Sequence, residues 1–450
     1  MRFGTDGVRG AAHTELTLEF AERLGRAAAA VLADAADHSD GPSTIVVGGD
    51  TRESTPAFID ALCAGFAATG ARVVRLGVVP TPVVAFEAQR RGALGAVVSA
   101  SHNPFGDNGI KLFARGGVKL SDDVERRIEA ELDRLAAAPA PPDEPASDAG
   151  AVTTTGVTDG YVAHVLGILE GRRLDGMRIV LDAANGAAHD IGPAVLRAAG
   201  AEVVVVAAEP DGRNINDGCG ATVPSFVAAA VLEHGADVGV ALDGDADRLI
   251  AVDHTGTVVD GDHILAITAT DLHARGELRN DTVVVTVMTN LGFRLAMRAA
   301  GLHVVETAVG DRYVLEALAA GGHSLGGEQS GHVIFADHAT TGDGILTAVA
   351  LLDAVKRSGR PLAAVAADAM SSLPQVLVNV RVSERMPDVA ERLSAEIAAV
   401  EADLGETGRV LVRASGTEPL VRVMVEAPTH ETARAAADSL AAAARQLATS

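Results

Sequence analysis

The segment Leu242-Asp243-Gly244-Asp245-Ala246-Asp247-Arg248 sets three carboxylates at every second residue, directly after an apolar run over 237–242 that reads as a strand. Carboxylates at i, i+2 and i+4, with Gly244 easing the backbone turn, can converge on one hard cation. An oxygen-only ligand set favours Mg²⁺ over zinc or copper. An EF-hand is rejected: its sixth position calls for Gly and holds Arg248, and its twelfth calls for Glu and holds His254. The competing reading is a solvated acidic turn. Against it, like charges packed this closely repel unless a cation is present. Arg248, beside the acids, is suited to offsetting charge or holding a phosphate.

A second constellation is Ser99-Ala100-Ser101-His102-Asn103-Pro104-Phe105-Gly106-Asp107-Asn108-Gly109-Ile110-Lys111, after a strand read over 93–99. In α/β sheets ligands gather at the carboxyl ends of strands. Pro104, Gly106, Asn108 and Gly109 predict a turn-rich loop able to expose a hydroxyl nucleophile, although these are ordinary loop residues as well. No Gly-x-Ser-x-Gly elbow is present, so a serine hydrolase lacks its frame. Lys111 stands out by composition, since the chain has only three lysines: Lys111, Lys119 and Lys356. Arg keeps its proton near neutral pH whereas a desolvated Lys can release one, which makes Lys111 an acid/base candidate. Lys119 and Lys356 read as surface residues.

Three further segments carry polar chemistry. Gly326-Gly327-Glu328-Gln329-Ser330-Gly331-His332 joins a carboxylate, a hydroxyl and an imidazole in a Gly-rich stretch, suited to sugar hydroxyls or to a structural turn. Arg413-Ala414-Ser415-Gly416-Thr417-Glu418-Pro419 has the makings of an anion cradle, or of a plain β-hairpin connection. Alternation of Val421, Val423 and Val425 leaves Arg422 on the opposite face, available to a ligand. Phe3-Gly4-Thr5-Asp6-Gly7-Val8-Arg9-Gly10 can place the Arg9 guanidinium in a cleft.

These segments need elements to hold them. Thr17 predicts a cap for a helix reaching about residue 36. Strands are predicted over 43–49, 71–76 and 93–99, with helices over 54–69 and 82–91. Residues 136–150, rich in Ala, Pro and Asp, read as a linker or as a long surface excursion. A second unit has strands over 178–183, 202–207 and 237–242. A third has strands over 282–288, 303–307 and 324–325, and a helix over 343–357. Val-rich strands separated by helices indicate largely parallel sheets. Residues 375–382 alternate apolar and polar, predicting a half-exposed strand, followed by strands over 410–413 and 420–426 and a final helix. The expected fold is three similar α/β domains with mixed, largely parallel sheets (1–155, 156–253, 254–370) and a C-terminal α+β domain (371–450).

Composition narrows the partners. With 450 residues the chain exceeds a single core. Aromatics are 3% and Trp is absent, so Ala, Val, Leu and Ile must build the interior. A formal net charge of -23 repels nucleic acid and anionic lipid, so neither is an expected partner. The same field repels a phosphorylated substrate, so an anion site needs local Arg and Lys. The two cysteines, Cys63 and Cys219, form no zinc motif or disulfide framework; Cys63 reads as core and Cys219 as a packed bystander. No signal segment or membrane span is read, which makes the cytoplasm the default location. The oligomeric state is open, with a homodimer allowed.

In this order the five segments resemble the α-D-phosphohexomutase superfamily over nearly the whole chain. The resemblance implies four domains around a central cleft, each giving one loop. It implies that the phosphorylated serine, and so the nucleophile, is Ser101 rather than Ser99, with His102 beside it. It places one Mg²⁺ on Asp243, Asp245, Asp247 and a phosphate oxygen of Ser101. Arg9 becomes the active-site Arg and Lys111 the general acid/base. Glu328 and Ser330 match the sugar contacts, with His332 nearby, and Arg248 is expected among the substrate-binding residues. Arg413, Ser415, Gly416 and Thr417 match a distal phosphate site, to which alternation adds Arg422 as a substrate-binding residue. The implied reaction interconverts glucosamine 6-phosphate and glucosamine 1-phosphate through a sugar 1,6-bisphosphate, feeding UDP-N-acetylglucosamine for cell wall, with the last domain closing as a lid. Glucose or mannose phosphates on the same fold are the alternative substrates. A phosphoserine-forming hydrolase and a non-catalytic phosphosugar-binding protein are the rivals of other classes.

Overall fold

The computed structural model describes residues 1–4, 6–34, 43–137, 151–153, 157–415 and 419–449. The chain forms two compact units, Met1–Met288 with Leu302–Ala369, and Thr289–Gly301 with Met370–Ser450.

The first unit holds three sheets among the described residues. The first, of seven strands, runs Val8–Ala11, Asp107–Ala114, Leu94–Val98, Thr44–Gly49, Arg72–Val78, Ala151–Thr153, with Val118–Lys119 added to Asp107–Ala114. Its central strands are parallel, while Asp107–Ala114 runs antiparallel to both of its neighbours in that order. Period-two alternation sorts the valines. Ile45, Val47, Val73 and Val98 pack with helices Leu18–Asp34, Thr55–Ala67 and Asp122–Ala137, while Val46 and Val74 meet Ala88 of helix Thr81–Arg91 on the other face. Thr17 caps the first helix as expected, its Oγ1 accepting Phe20 N–H at 3.1 Å.

The second sheet runs Val258–Val259, Leu249–Asp253, Val238–Leu242, Arg178–Asp182, Glu202–Val206, so it includes Val258–Val259 on the far side of the expected boundary at 253/254. The third runs His303–Thr307, Thr282–Thr286, Leu325–Gly327, Val333–Phe335. Both are mixed, with antiparallel strands at one side of a parallel core.

The second unit is an antiparallel sheet, Gln375–Arg381, Leu420–Glu426, Arg409–Ala414, covered by helix His430–Thr449. Val421, Val423 and Val425 bury against Ala437, Leu440 and Ala444. Helix Leu291–Ala299 also belongs here: Leu291 N–H donates to Glu426 Oε2 at 2.9 Å, and Asn290 Nδ2 to Leu373 O at 3.0 Å.

Two readings of the sequence change. Residues 107–111 are not loop but the start of strand Asp107–Ala114, because Ile110 and Leu112 are buried and paired, and this outweighs the turn propensity of Asp-Asn-Gly. Gly326 and Gly327 lie in a strand rather than in the loop after it. The expected linker over 136–150 lies almost wholly outside the described residues. No described helix is long and apolar enough to cross a membrane. Cys63 and Cys219 are buried, and burial pushes their thiols up to about 11 and about 12, which suits packed rather than reactive groups.

Candidate active site

The carboxyl ends of Leu94–Val98 and Val238–Leu242 bring the serine loop against the aspartate loop in the first unit. Ser101 is 1% exposed and adopts φ 54°, in the left-handed region. Its Oγ donates to Asp243 Oδ2 at 2.6 Å and lies 3.3 Å from His102 Nδ1. Ser99 is engaged elsewhere: its Oγ donates to Asp50 Oδ2 at 2.6 Å and accepts Ser101 N–H at 2.9 Å.

Asp243, Asp245 and Asp247 are all buried, and one carboxylate oxygen from each lies within 4.8 Å of the others. Asp245 Oδ1 and Asp247 Oδ1 are buried without a hydrogen bond. Burial, then Asp247 and Asp245, pushes the Asp243 carboxyl up to about 8. Buried oxygens without donors and a carboxyl that resists ionising fit a hard divalent cation held by three oxygens. The left-handed residue of this loop is Ala246, at φ 56°, not Gly244. Gly244 is needed for close approach, since a Cβ there would stand 2.6 Å from Ser101 O.

Cations surround the acids. Lys111 Nζ donates to Asp245 Oδ2 at 2.8 Å and Asp247 Oδ2 at 3.0 Å, and pairs with Asp6 Oδ2 at 2.9 Å. Burial disfavours its charge, but these carboxylates outweigh burial and hold its pKa well above the usual lysine range. Lys111 is therefore an ammonium here, not a neutral base. Asp6 is also bound by Arg9 and lies 3.5 Å from Lys119. Burial opposes the Asp6 charge, yet Lys111, Lys119 and Arg9 keep its pKa low. The opening loop reaches this site because Gly7, at φ 78°, packs so that a Cβ would sit 2.3 Å from Ile110 O.

Arg9 Nε and Arg248 Nε are buried without a hydrogen bond. Burial, then Arg248 and Arg9, lowers His102 to about 4, so the imidazole beside Ser101 is neutral at neutral pH. His332 is 3% exposed, with Nδ1 3.7 Å from Asp247 Oδ1. Burial opposes an imidazolium, while Asp247 outweighs it and draws the pKa up to about 9. Gly342 N–H donates to Nε2 at 3.1 Å; this bond, which only an unprotonated ring nitrogen accepts, opposes the pull of Asp247 and requires the neutral ring protonated on Nδ1.

Glu328 is half-buried and its Oε1 accepts Gly310 N–H at 3.1 Å. Ser330 is exposed. The Gln329 amide donates to Asp262 Oδ2 at 3.2 Å. In the second unit Arg413 and Arg422 are direct cross-strand partners on one face, and Ser415 is buried. Burial, then Arg422, lowers the Arg413 pKa. Gly416 and Thr417 lie outside the described residues.

Sequence reasoning missed four contributors. Asp6 lies inside a quoted motif without a role. Thr81 Oγ1 donates to Asp245 Oδ2 at 2.7 Å. Asp311 accepts Lys119 Nζ at 2.5 and 2.6 Å. Lys119 is thus no surface lysine; its side chain is 14% exposed and sits between Asp311 and Asp6. Its rarity in the composition was the one available signal.

Family models match four successive segments: phosphoglucomutase/phosphomannomutase alpha/beta/alpha domain I over residues 1–138, domain II over 159–256, domain III over 260–373 and the C-terminal domain over 377–443. The chain is 56% identical over 451 aligned residues to the phosphoglucosamine mutase of Frankia casuarinae, covering 98% of both chains. It is 54% identical to the phosphoglucosamine mutase of Thermobifida fusca, covering 98% of this chain and 97% of the relative. A solved phosphoglucomutase/phosphomannomutase family protein of Burkholderia thailandensis superposes with TM-score 0.81 at 25% identity, covering 99% of this chain and 97% of that one. The fold is shared with Aspergillus fumigatus N-acetylphosphoglucosamine mutase, solved with GlcNAc-6P and magnesium (TM-score 0.69, 19% identity, 100% and 96% covered). The five segments, the buried aspartate triad and these matches agree: the chain belongs to the phosphoglucomutase/phosphomannomutase family.

Proposed function

We propose that this mutase interconverts glucosamine 6-phosphate and glucosamine 1-phosphate by way of a phosphoserine at Ser101 and a sugar 1,6-bisphosphate. The observation that carries the reading is Ser101 Oγ at 2.6 Å from Asp243, beside Asp245 and Asp247, each with one buried oxygen that accepts no hydrogen bond. The relatives at 56% and 54% identity support glucosamine over glucose or mannose.

Transfer breaks the P–Oγ bond of phosphorylated Ser101 and forms a P–O bond to the free sugar hydroxyl. The Lys111 ammonium gives a proton to the leaving Ser101 Oγ, and the proton of the attacking hydroxyl restores it. The reverse transfer, from the other phosphate of the bisphosphate, restores the phosphoserine. Arg9 and Arg248 offer their unpaired N–H groups to phosphoryl oxygens. Neutral His102 can hydrogen-bond there without adding charge. Asp243, Asp245 and Asp247 hold the Mg²⁺, which when bound neutralises charge on the moving group. Glu328, Ser330 and His332 supply hydroxyl-binding groups for the sugar. Arg413, Ser415 and Arg422 supply a phosphate-binding face, with Gly416 and Thr417 beside them in sequence.

Comparing kcat/KM for glucosamine, glucose and mannose 6-phosphates tests the substrate; a clear preference for glucose or mannose overturns it. Intact mass before and after phosphatase tests the phosphoserine: one phosphate mapping to Ser101 is expected, and one mapping to Ser99 overturns the assignment.

A further inference from the structure

Arg52 follows strand Thr44–Gly49 and has a side chain of 0% exposure. A guanidinium has five N–H donors, and all five are used here. Nε donates to Asp50 Oδ2 at 2.8 Å. The two terminal nitrogens donate to Asp107 O at 3.0 Å, Ser101 O at 3.0 Å and Asn103 O at 2.8 Å, and to Pro104 O. Four carbonyls, three from the serine loop and one from the first residue of strand Asp107–Ala114, thus turn inward onto a single planar cation. Asn216, from the second sheet's side, closes the clamp: its Nδ2 donates to Ser101 O at 2.9 Å and Asn103 O at 3.3 Å.

The other end of Ser101 is held through the same group. Asp50 Oδ2 accepts both Arg52 Nε and Ser99 Oγ, and Ser99 Oγ accepts Ser101 N–H. Ser101 is therefore pinned at its N–H and its carbonyl while it occupies a left-handed φ that is strained for a non-glycine residue. Burying a charged guanidinium merely to support a loop is expensive, and uncharged residues can brace one. A rigid five-donor fork that dictates the direction of four carbonyls cannot be replaced by lysine.

We propose that Arg52, assisted by Asn216, is a positioning residue for phosphoryl transfer: it fixes the left-handed backbone of Ser101 and so aims Oγ at the aspartate cluster. This rests on the reading of Ser101 as the phosphoryl carrier. Arg52 is wholly buried and Asn216 spends its amide on carbonyls of the same loop, so the effect falls on kcat rather than on KM.

The test uses the full-length protein with saturating Mg²⁺ and four variants. Arg52→Lys keeps the charge and loses the fork; about a 10²-fold loss in kcat is expected, with KM within about three-fold. Arg52→Ala with added guanidinium ion should recover kcat in a dose-dependent way. Asn216→Gly keeps the φ of 59° permissible while removing the amide, and about a 10-fold loss in kcat at unchanged Tm is expected. Should the Arg52 variants fail to fold, Asn216→Gly decides. A folded Arg52→Lys or Asn216→Gly with kcat within two-fold of the parent, or a loss carried wholly by KM, overturns the proposal. Ser101→Ala separates the two ideas. If it keeps full turnover, the phosphoserine reading fails; if it is inactive while Arg52→Lys is normal, only the positioning role fails.

Discussion

Ser99 Oγ accepts the backbone N–H of Ser101 at 2.9 Å, whereas Ser101 Oγ points away from Ser99 and donates to Asp243 at 2.6 Å. Two hydroxyls two residues apart therefore do different work. Ser101→Ala is expected to lose at least about 10³-fold in kcat, because the group that carries the phosphoryl is gone. Ser99→Ala is expected to lose only about 10-fold, through looser placement. Steady-state kinetics on both variants checks this; equal losses would contradict the division.

The aspartate triad predicts a thermal response. Buried carboxylates with unpaired oxygens are relieved by a cation that binds only the folded state. Mg²⁺ at about 100 times its Kd should add about 2.7 kcal/mol, raising Tm by a few degrees. Asp245→Asn should reduce that rise while leaving the fold intact. Calorimetry with EDTA and with graded Mg²⁺ reads both effects.

Asp182 accepts N–H groups of Ala184 and Gly220 at 2.9 and 2.6 Å, yet burial raises its pKa from 3.8 to about 6. The folded state then holds a proton that the unfolded state has released between those values. By linkage the contribution is present below about pH 4 and is lost as pH rises through 6. The parent should lose on the order of 2 kcal/mol over that window relative to Asp182→Asn, which cannot ionise. Urea unfolding of both proteins from pH 4 to 7 measures the difference in slope; parallel curves would exclude the shift.

Arg413 and Arg422 face each other across the sheet of the second unit, and like charges directly opposite are unfavourable. Arg413→Gln should therefore stabilise the free protein by a few tenths of a kcal/mol while raising KM for the phosphosugar about 10-fold or more. Thermal melts and kinetics together check this. Loss of stability without a KM change would assign the pair to structure.

The chemistry was legible where it depends on spacing. Three acids at alternate positions after a strand pointed to a cation site, and the folded chain buries all three with an oxygen from each within 4.8 Å of the others. Alternation likewise placed Arg422 opposite Val421 and Val423, as the buried valines bear out. What was not legible depends on distant pairing. Lys119 and Asp311 are far apart in sequence, and nothing local marks either as part of a site. Residues 107–111 looked like loop because Asp-Asn-Gly favours turns, and strand pairing on both sides overrode that propensity.

By itself the sequence determined the α/β pattern, the acidic field that requires local arginines, and the aspartate triad, since these follow from composition and short-range periodicity. The choice of Ser101 over Ser99 came with the family resemblance; tertiary structure alone decided that Lys111 is an ammonium among three carboxylates and that Arg52 holds the loop. Each of these is set by partners from other elements, which outweigh the cost of burial and direct ordinary side chains only after the chain has folded around them.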